Sequence, residues 1–249
     1  MELAPDLFSK LFPSRCIFCR RTVNTPMLKG QVIHPHVEIC TDCFMTLPRN
    51  DSCCARCALP LTDEIGAAVL CGRCIKKAPA FDYAYSLFRY EDDVIRLVHQ
   101  LKFAEKITYA RSLGELLLLM WLHRISKVEQ QPDCLLPVPL HPARLRQRGF
   151  NQSIEIARIM SSRLKIPIEY DAVIRQRKTT SQTGLEARQR QKNIRGAFEV
   201  VSEIKANHIL IIDDVMTTGS TVNELARVLK KNNVERVGVL SVARAPLKK

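Results

Sequence analysis

Along this chain the period of the apolar positions keeps changing, and each change marks an element. Residues 208–212 are one short apolar run, the pattern of a strand buried on both faces. From Val222 the spacing becomes helical, with Leu225, Val228 and Leu229 on one stripe. Residues 135–140 predict a second buried strand, whose Pro137 and Pro139 fit only at its end, where no ladder partner is needed. Ile154, Ala157, Ile159, Met160 and Leu164 follow at helix spacing. Earlier, 81–90 alternates as a strand. Asp92 and Asp93 then open a capped amphipathic helix through Val94, Leu97, Val98 and Leu101. Residues 108–125 are apolar on several faces and predict a buried helix, and 237–242 predict the last strand. Strands alternating with helices imply an α/β fold, an open and mostly parallel sheet with flanking helices.

The junction after the 208–212 strand carries chemistry. It reads Asp213, Asp214, Val215, Met216, Thr217, Thr218, Gly219, Ser220, Thr221. Between a strand's carboxyl end and a helix's amino end, unpaired N–H groups point outward and the helix dipole favours an anion. Gly219 permits close approach, the hydroxyls add donors, and Ser220 or Thr221 is expected to cap the helix. Two adjacent carboxylates repel phosphate but suit a pair of ribose hydroxyls. A site for a ribose and its 5′-phosphate uses every residue of the run. A P-loop fits worse, because there is no Gly-Lys-Ser/Thr. The 135–140 strand leads into a basic loop, 141–152, holding Arg144, Arg146 and Arg148. In an open parallel sheet both loops meet at the carboxyl edge. A third basic stretch, 175–198, has few apolar anchors and reads as a mobile loop or hairpin, able to close over a ligand and exclude water.

Charge sharpens this picture. The 249 residues carry a formal net charge of +13, yet 144–195 alone holds thirteen Lys/Arg against four acids, a net +9. Lying between two phosphate-site segments, that stretch suits a polyanion, either pyrophosphate or a nucleic-acid backbone. No signal peptide is expected from an amino-terminal stretch broken by Pro5 and Pro13, and the most apolar run, 113–122, contains Glu115 and is too short to span a bilayer. A cytoplasmic location is expected, with no transmembrane segment.

Nine of the ten cysteines precede residue 75, eight of them in Cys-x-x-Cys pairs. This is zinc-knuckle spacing, in which one tight turn aims two thiolates at one metal. Taken in sequence order, Cys16, Cys19, Cys40 and Cys43 make one site and Cys54, Cys57, Cys71 and Cys74 a second; an interleaved pairing is the alternative. Disulfides would not suit a cytosolic chain. Such closed four-cysteine sites are structural, and Zn2+ would supply much of the module's folding energy. Cys53 is left over, with a shifted pairing to Cys57 as the alternative; Cys134 belongs to the core; His34 and His36 read as loop residues, with replacement of a ligand as the alternative. Phe18 with Arg15, Arg20 and Arg21 suits either core packing or a single strand. Pro79 marks a boundary between a module at 1–79 and an α/β domain at 80–249.

Asp213 to Thr221 resembles the phosphoribosyl pyrophosphate (PRPP) motif of type I phosphoribosyltransferases. That resemblance implies that Asp213 and Asp214 hold the ribose hydroxyls as the catalytic pair, while Val215 to Thr221 cradle the 5′-phosphate of PRPP bound with Mg2+. The whole chain resembles the ComF family, including the GntX-like DNA utilisation proteins. The motifs are the Cys-x-x-Cys pairs, Val138-Pro139-Leu140, Arg148-Gly149-Phe150-Asn151-Gln152-Ser153, Arg177 with Thr180, Gln182 and Leu185, Arg188, Asn193 with Ala197-Phe198, and the PRPP motif itself. The family resemblance implies a type I phosphoribosyltransferase fold behind a double zinc ribbon. It also implies a role in natural competence and DNA utilisation, with internalised single-stranded DNA and the DNA-uptake machinery as partners. Arg144, Arg146, Arg148, Arg177 and Arg188 would then face pyrophosphate or DNA phosphates. An enzyme that transfers ribose 5-phosphate from PRPP to an unidentified acceptor is the alternative, and both readings stand open here.

Overall fold

Strands that are apolar on both sides need cover on both sides, and this chain provides it with helices and with its cysteine-rich segment. The computed structural model describes residues 14–23, 27–28, 31–32, 37–61, 69–101, 107–177 and 194–247. First come the paired β1 (Met27–Leu28) and β2 (Gln31–Val32), then the short helices α1 (Thr41–Thr46) and α2 (Gly72–Lys76). β3 (Tyr83–Arg89), α3 (Asp92–Gln100) and α4 (Ile107–Met120) follow, α4 running on into a π-helical turn at Trp121–Ile125. Next are β4 (Cys134–Pro137), α5 (Pro142–Arg148) and α6 (Gln152–Leu164). The chain continues through β5 (Val173–Arg175), β6 (Phe198–Val200), β7 (His208–Met216), α7 (Ser220–Lys231) and β8 (Arg236–Arg244).

β3, β8, β7 and β4 lie side by side in that order, all parallel. β5 and β6 form a separate antiparallel pair. Successive side chains of β7 point to opposite faces, as the pleat requires. Leu210 and Ile212 join a core with Leu97, Leu113, Leu117, Ile156 and Met160, from α3, α4 and α6. Ile209 and Ile211 join a second core with Val222, Leu225 and Leu229 of α7 and Phe198 of β6. α4 and α6 touch closely at Gly114, where a Cβ would lie 2.9 Å from Ile159 Cβ. The two cysteine clusters divide between the faces: Cys16 packs in the first core, and Cys54, Cys57, Cys71 and Cys74 in the second.

Several expectations change in detail. The 208–212 strand runs on through Met216, because its pairing with β8 continues from Asp213–Ser241 to Met216–Arg244. The strand expected over 135–140 stops at Pro137. The basic loop is partly helical, since Pro142 opens α5 and Gly149 closes it in the left-handed conformation. Glu91 precedes α3 without a side-chain cap. β3 supplies the edge strand of the sheet, and α3 and α4 pack on it.

Candidate functional site

The two expected loops meet at the carboxyl edge. Val138 N–H donates to Ile212 O at 2.9 Å, which carries the pairing of β4 and β7 past the last residue of β4. Asn151 then fixes the second loop. Its Oδ1 accepts from Ser153 N–H at 3.0 Å, capping α6, while its Nδ2 donates to Val138 O at 3.1 Å. That places Gln152 against β7, where Nε2 donates to Asp214 Oδ2 at 3.3 Å. The other amide atom, Gln152 Oε1, is buried without a hydrogen-bond partner among the described residues. A buried acceptor left unmatched at the mouth of a loop pair fits a ligand donor such as a hydroxyl.

The two acids differ. Asp213 is buried and Asp214 half-buried. Asp213 Oδ1 accepts from Asp214 N–H at 2.9 Å, and Asp214 Oδ1 from Val215 N–H at 2.8 Å. Burial, then the Asp214 charge beside it, holds the Asp213 carboxyl well above the usual carboxylate range, with Arg175 opposing. Past them the loop turns outward: Thr217 is exposed, and Thr218 to Thr221 are half-buried. Gly219 takes a φ of 76° at the N-cap of α7, a left-handed backbone that favours glycine. Neither Ser220 nor Thr221 is the cap, contrary to expectation. Instead Thr218 Oγ1 accepts from Ser220 N–H at 3.3 Å and lies 2.8 Å from Ser220 Oγ.

Cations ring these acids unevenly. Arg144 and Arg148 are four residues apart on α5, hence on one face, and both are half-buried. Burial and the Arg144 charge lower the Arg148 pKa, while Asp214 raises it. Arg146 projects from another face and is exposed. Arg177 is exposed and donates to Arg195 O at 3.3 Å, beside the antiparallel β5–β6 pair. Arg188, with Thr180, Gln182, Leu185 and Asn193, lies outside the described residues. Arg175 was absent from the expected set. It is buried at the end of β5, 5.5 Å from the Phe198 ring centroid, and burial with the Arg144 charge brings its pKa down to about 10 against the pull of Asp213. Its side chain shares the inward side of β5 with Val173, a pattern only three residues long. Tyr90 was also missed; burial, then the Asp214 charge, raises its pKa. A depression at the opposite edge, lined by Asp82, Asp133, His208 and Arg236, stands where the strands begin, away from these loops.

The cysteines pair in sequence order. Cys16, Cys19, Cys40 and Cys43 converge, as do Cys54, Cys57, Cys71 and Cys74, with all ligand atoms of each set within 4.8 Å of one another. Sγ–Sγ separations of 3.6 Å (Cys19–Cys40) and 3.7 Å (Cys57–Cys71) match the roughly 3.8 Å edge of a tetrahedron with Zn–S near 2.3 Å. They are far too long for disulfides. Both clusters therefore fit structural zinc sites. The two are built alike. Cys40 N–H donates to Cys16 Sγ at 3.4 Å, and Cys71 N–H to Cys54 Sγ at 3.2 Å. Arg20 and Ala58 hold equivalent left-handed positions after the first knuckle of each. Burial opposes the Cys16 and Cys54 thiolates, but surrounding backbone N–H groups outweigh it and bring each pKa to about 7. Cys53 joins neither cluster, Cys134 is buried in β4, and Phe18 packs against the first core. His34 and His36 lie outside the described residues.

Comparison with known proteins agrees with this division. Residues 7–75 match a double zinc ribbon domain, and residues 151–249 a phosphoribosyl transferase domain. DNA utilization protein YhgH of Escherichia coli (strain K12) is 36% identical over 233 residues, covering 93% of this chain and 97% of its own. The protein of the same name from Salmonella typhimurium is 35% identical with the same coverage. Competence protein F of Haemophilus influenzae is 32% identical over 240 residues, covering 94% of this chain and 98% of its own. Among solved structures, AQ2163 protein from Aquifex aeolicus aligns at 12% identity with a TM-score of 0.36, over 67% of this chain and 89% of that one, too loosely to carry an argument.

Proposed function

Because the chain belongs to the ComF family, with DNA utilization protein YhgH and Competence protein F among its relatives, we propose that its carboxyl-edge site binds PRPP or a related ribose phosphate. The protein acts in natural competence and DNA utilisation, handling internalised single-stranded DNA in the cytoplasm. Residues 80–249 form the phosphoribosyl domain, and 1–79 a double zinc ribbon that braces it. No helix among the described residues is long and apolar enough to cross a membrane.

The observation that most supports the ligand is the unmatched, buried Gln152 Oε1 beside Asp213 and Asp214. In this reading the acids and Gln152 engage ribose hydroxyls. The N–H groups and hydroxyls of Val215 to Thr221 hold the 5′-phosphate, and Arg144 and Arg148 face the pyrophosphate. Mg2+, when bound with PRPP, neutralises pyrophosphate charge. A saturating ligand, at 100 times its Kd, adds about 2.7 kcal/mol, or roughly 5–10 °C of Tm for a chain of this size. Asp213→Ala combined with Asp214→Ala removes that shift; a double variant with the full shift refutes the assignment. Single-stranded DNA should bind most tightly at low salt, because phosphate contacts release counterions. No binding in a low-salt polarisation titration would sink the DNA arm.

Arg144, Arg148 and Arg175 beside two acids also suit a departing pyrophosphate, which supports the enzyme reading. Exchange of labelled pyrophosphate into PRPP with candidate acceptors tests it, and no exchange with any acceptor leaves the binding reading alone.

A further inference from the structure

Arg244, the last residue of β8, is 2% exposed. Its guanidinium is spent on main-chain carbonyls from separate segments. Nε donates to Cys57 O at 3.1 Å. Nη1 donates to Met216 O at 2.9 Å, to Ala245 O at 3.0 Å and to Thr217 O. Cys57 is a ligand of the second cysteine cluster, and Met216 and Thr217 are where β7 turns into the phosphate loop. Ala245 N–H also donates to Met216 O at 3.0 Å, so the end of β8 and the start of the loop are stitched together. A buried guanidinium needs compensating negative charge. Four thiolates around one divalent ion carry a net charge of −2, and the Arg244 guanidinium bonds the backbone of one of those four cysteines. The first cluster has no such link among the described residues; it joins the other face through core packing of Cys16 and its neighbours and through Glu38 N–H donating to Ser112 Oγ at 3.1 Å.

We propose that Arg244 is a positioning residue that couples the second zinc centre to the phosphate loop, so that metal at Cys54, Cys57, Cys71 and Cys74 holds Met216 and Thr217 in the ligand-binding conformation. The inference rests on the ribose-phosphate reading of that loop. Zinc fixes the knuckle that presents Cys57 O, the dianionic centre holds the guanidinium in place, and the guanidinium holds the loop carbonyls. Coupling of this kind is reciprocal, so a phosphoribosyl ligand also retains zinc at the second centre.

The test compares the full-length wild type with Arg244→Lys. Lysine keeps the charge but cannot span both sides as a planar fork. With two zinc ions per chain retained, hydrogen exchange across 215–219 is expected to rise at least ten-fold, and PRPP·Mg2+ affinity to fall about ten-fold. Unchanged exchange with both ions bound overturns the proposal. Should Arg244→Lys fail to fold, the wild type decides under limiting chelator, with cysteine alkylation reporting which centre has emptied. Loop exchange must rise with alkylation at Cys57 and Cys71; a rise that follows Cys19 and Cys40 instead overturns the coupling. Both exchange measurements need no ligand. If the wild type never binds PRPP, the proposed function fails while they still decide the coupling.

Discussion

Asp213 carries its carboxyl group where ionisation is costly, and that has a measurable sign. Its folded pKa lies above the unfolded value, so the folded chain holds the proton more tightly. The stability it contributes is complete below about pH 4, the unfolded value, and is lost as pH rises toward the folded value. Asp213→Asn removes that loss. Ligand-free melts of this variant between pH 4 and 8 should decline less with pH than wild type and lie higher at pH 7. Its PRPP-induced shift should be gone. A variant less stable than wild type at pH 7 would show that Asp213 serves the fold rather than a ligand. Gln152→Met tests the neighbouring contact. It keeps the side chain's length but removes both the unmatched oxygen and the donor to Asp214 Oδ2, so stability should fall by about 1 kcal/mol while affinity for ribose phosphates drops about ten-fold.

At the level of elements, Asn151 does two tasks with one side chain, capping α6 and tying it to Val138 O. Asn151→Ala should cost about 1–2 kcal/mol in chemical denaturation, and it should also weaken ligand binding, because Gln152 is the next residue. Elements with a clean apolar period were legible from sequence. Val94, Leu97, Val98 and Leu101 of the α3 stripe are all buried, as are Leu225, Val228 and Leu229 of α7. The misses share a physical cause. α5 buries none of its residues, so it shows no amphipathic period, and only Pro142 at its start and Gly149 at its end announce it. β7 outruns its apolar run because backbone pairing with β8 does not stop where the side chains become acidic. Arg175 escaped notice because a three-residue strand is too short to display alternation. The Asp213–Thr221 run was readable because its chemistry is local, whereas its meeting with Gln152 is a tertiary event, 62 residues apart in sequence.

Across the whole molecule, the zinc ribbon is part of the sheet's packing. Cys16, Ile17, Val37, Ile39 and Phe44 belong to the core on one face, and Cys54, Leu59 and Cys71 to the core on the other. Asn50 N–H donates to Leu87 O at 3.2 Å, and Arg89 N–H to Pro48 O at 2.8 Å, joining the module to β3. Chelation should therefore lower the stability of the entire chain rather than release a module from an intact domain. Circular dichroism melts of zinc-free protein should show one transition at reduced temperature; a sheet domain melting at its original temperature would contradict this integration. The arrangement also organises the charge. The +9 stretch over 144–195 includes Arg144, Arg148 and Arg175 at the carboxyl edge, next to the proposed ligand site.

Everything proposed for the site turns on whether the loop from Val215 to Thr221 receives the 5′-phosphate of a phosphoribosyl ligand. Backbone amide resonances of 15N-labelled protein report on this residue by residue, with PRPP·Mg2+ titrated into the full chain. The expected result is a saturable shift concentrated in Val215 to Thr221, with Gly219 among the largest, together with the Gln152 side-chain amide. Resonances of that loop that stay fixed at millimolar ligand would refute the phosphate assignment.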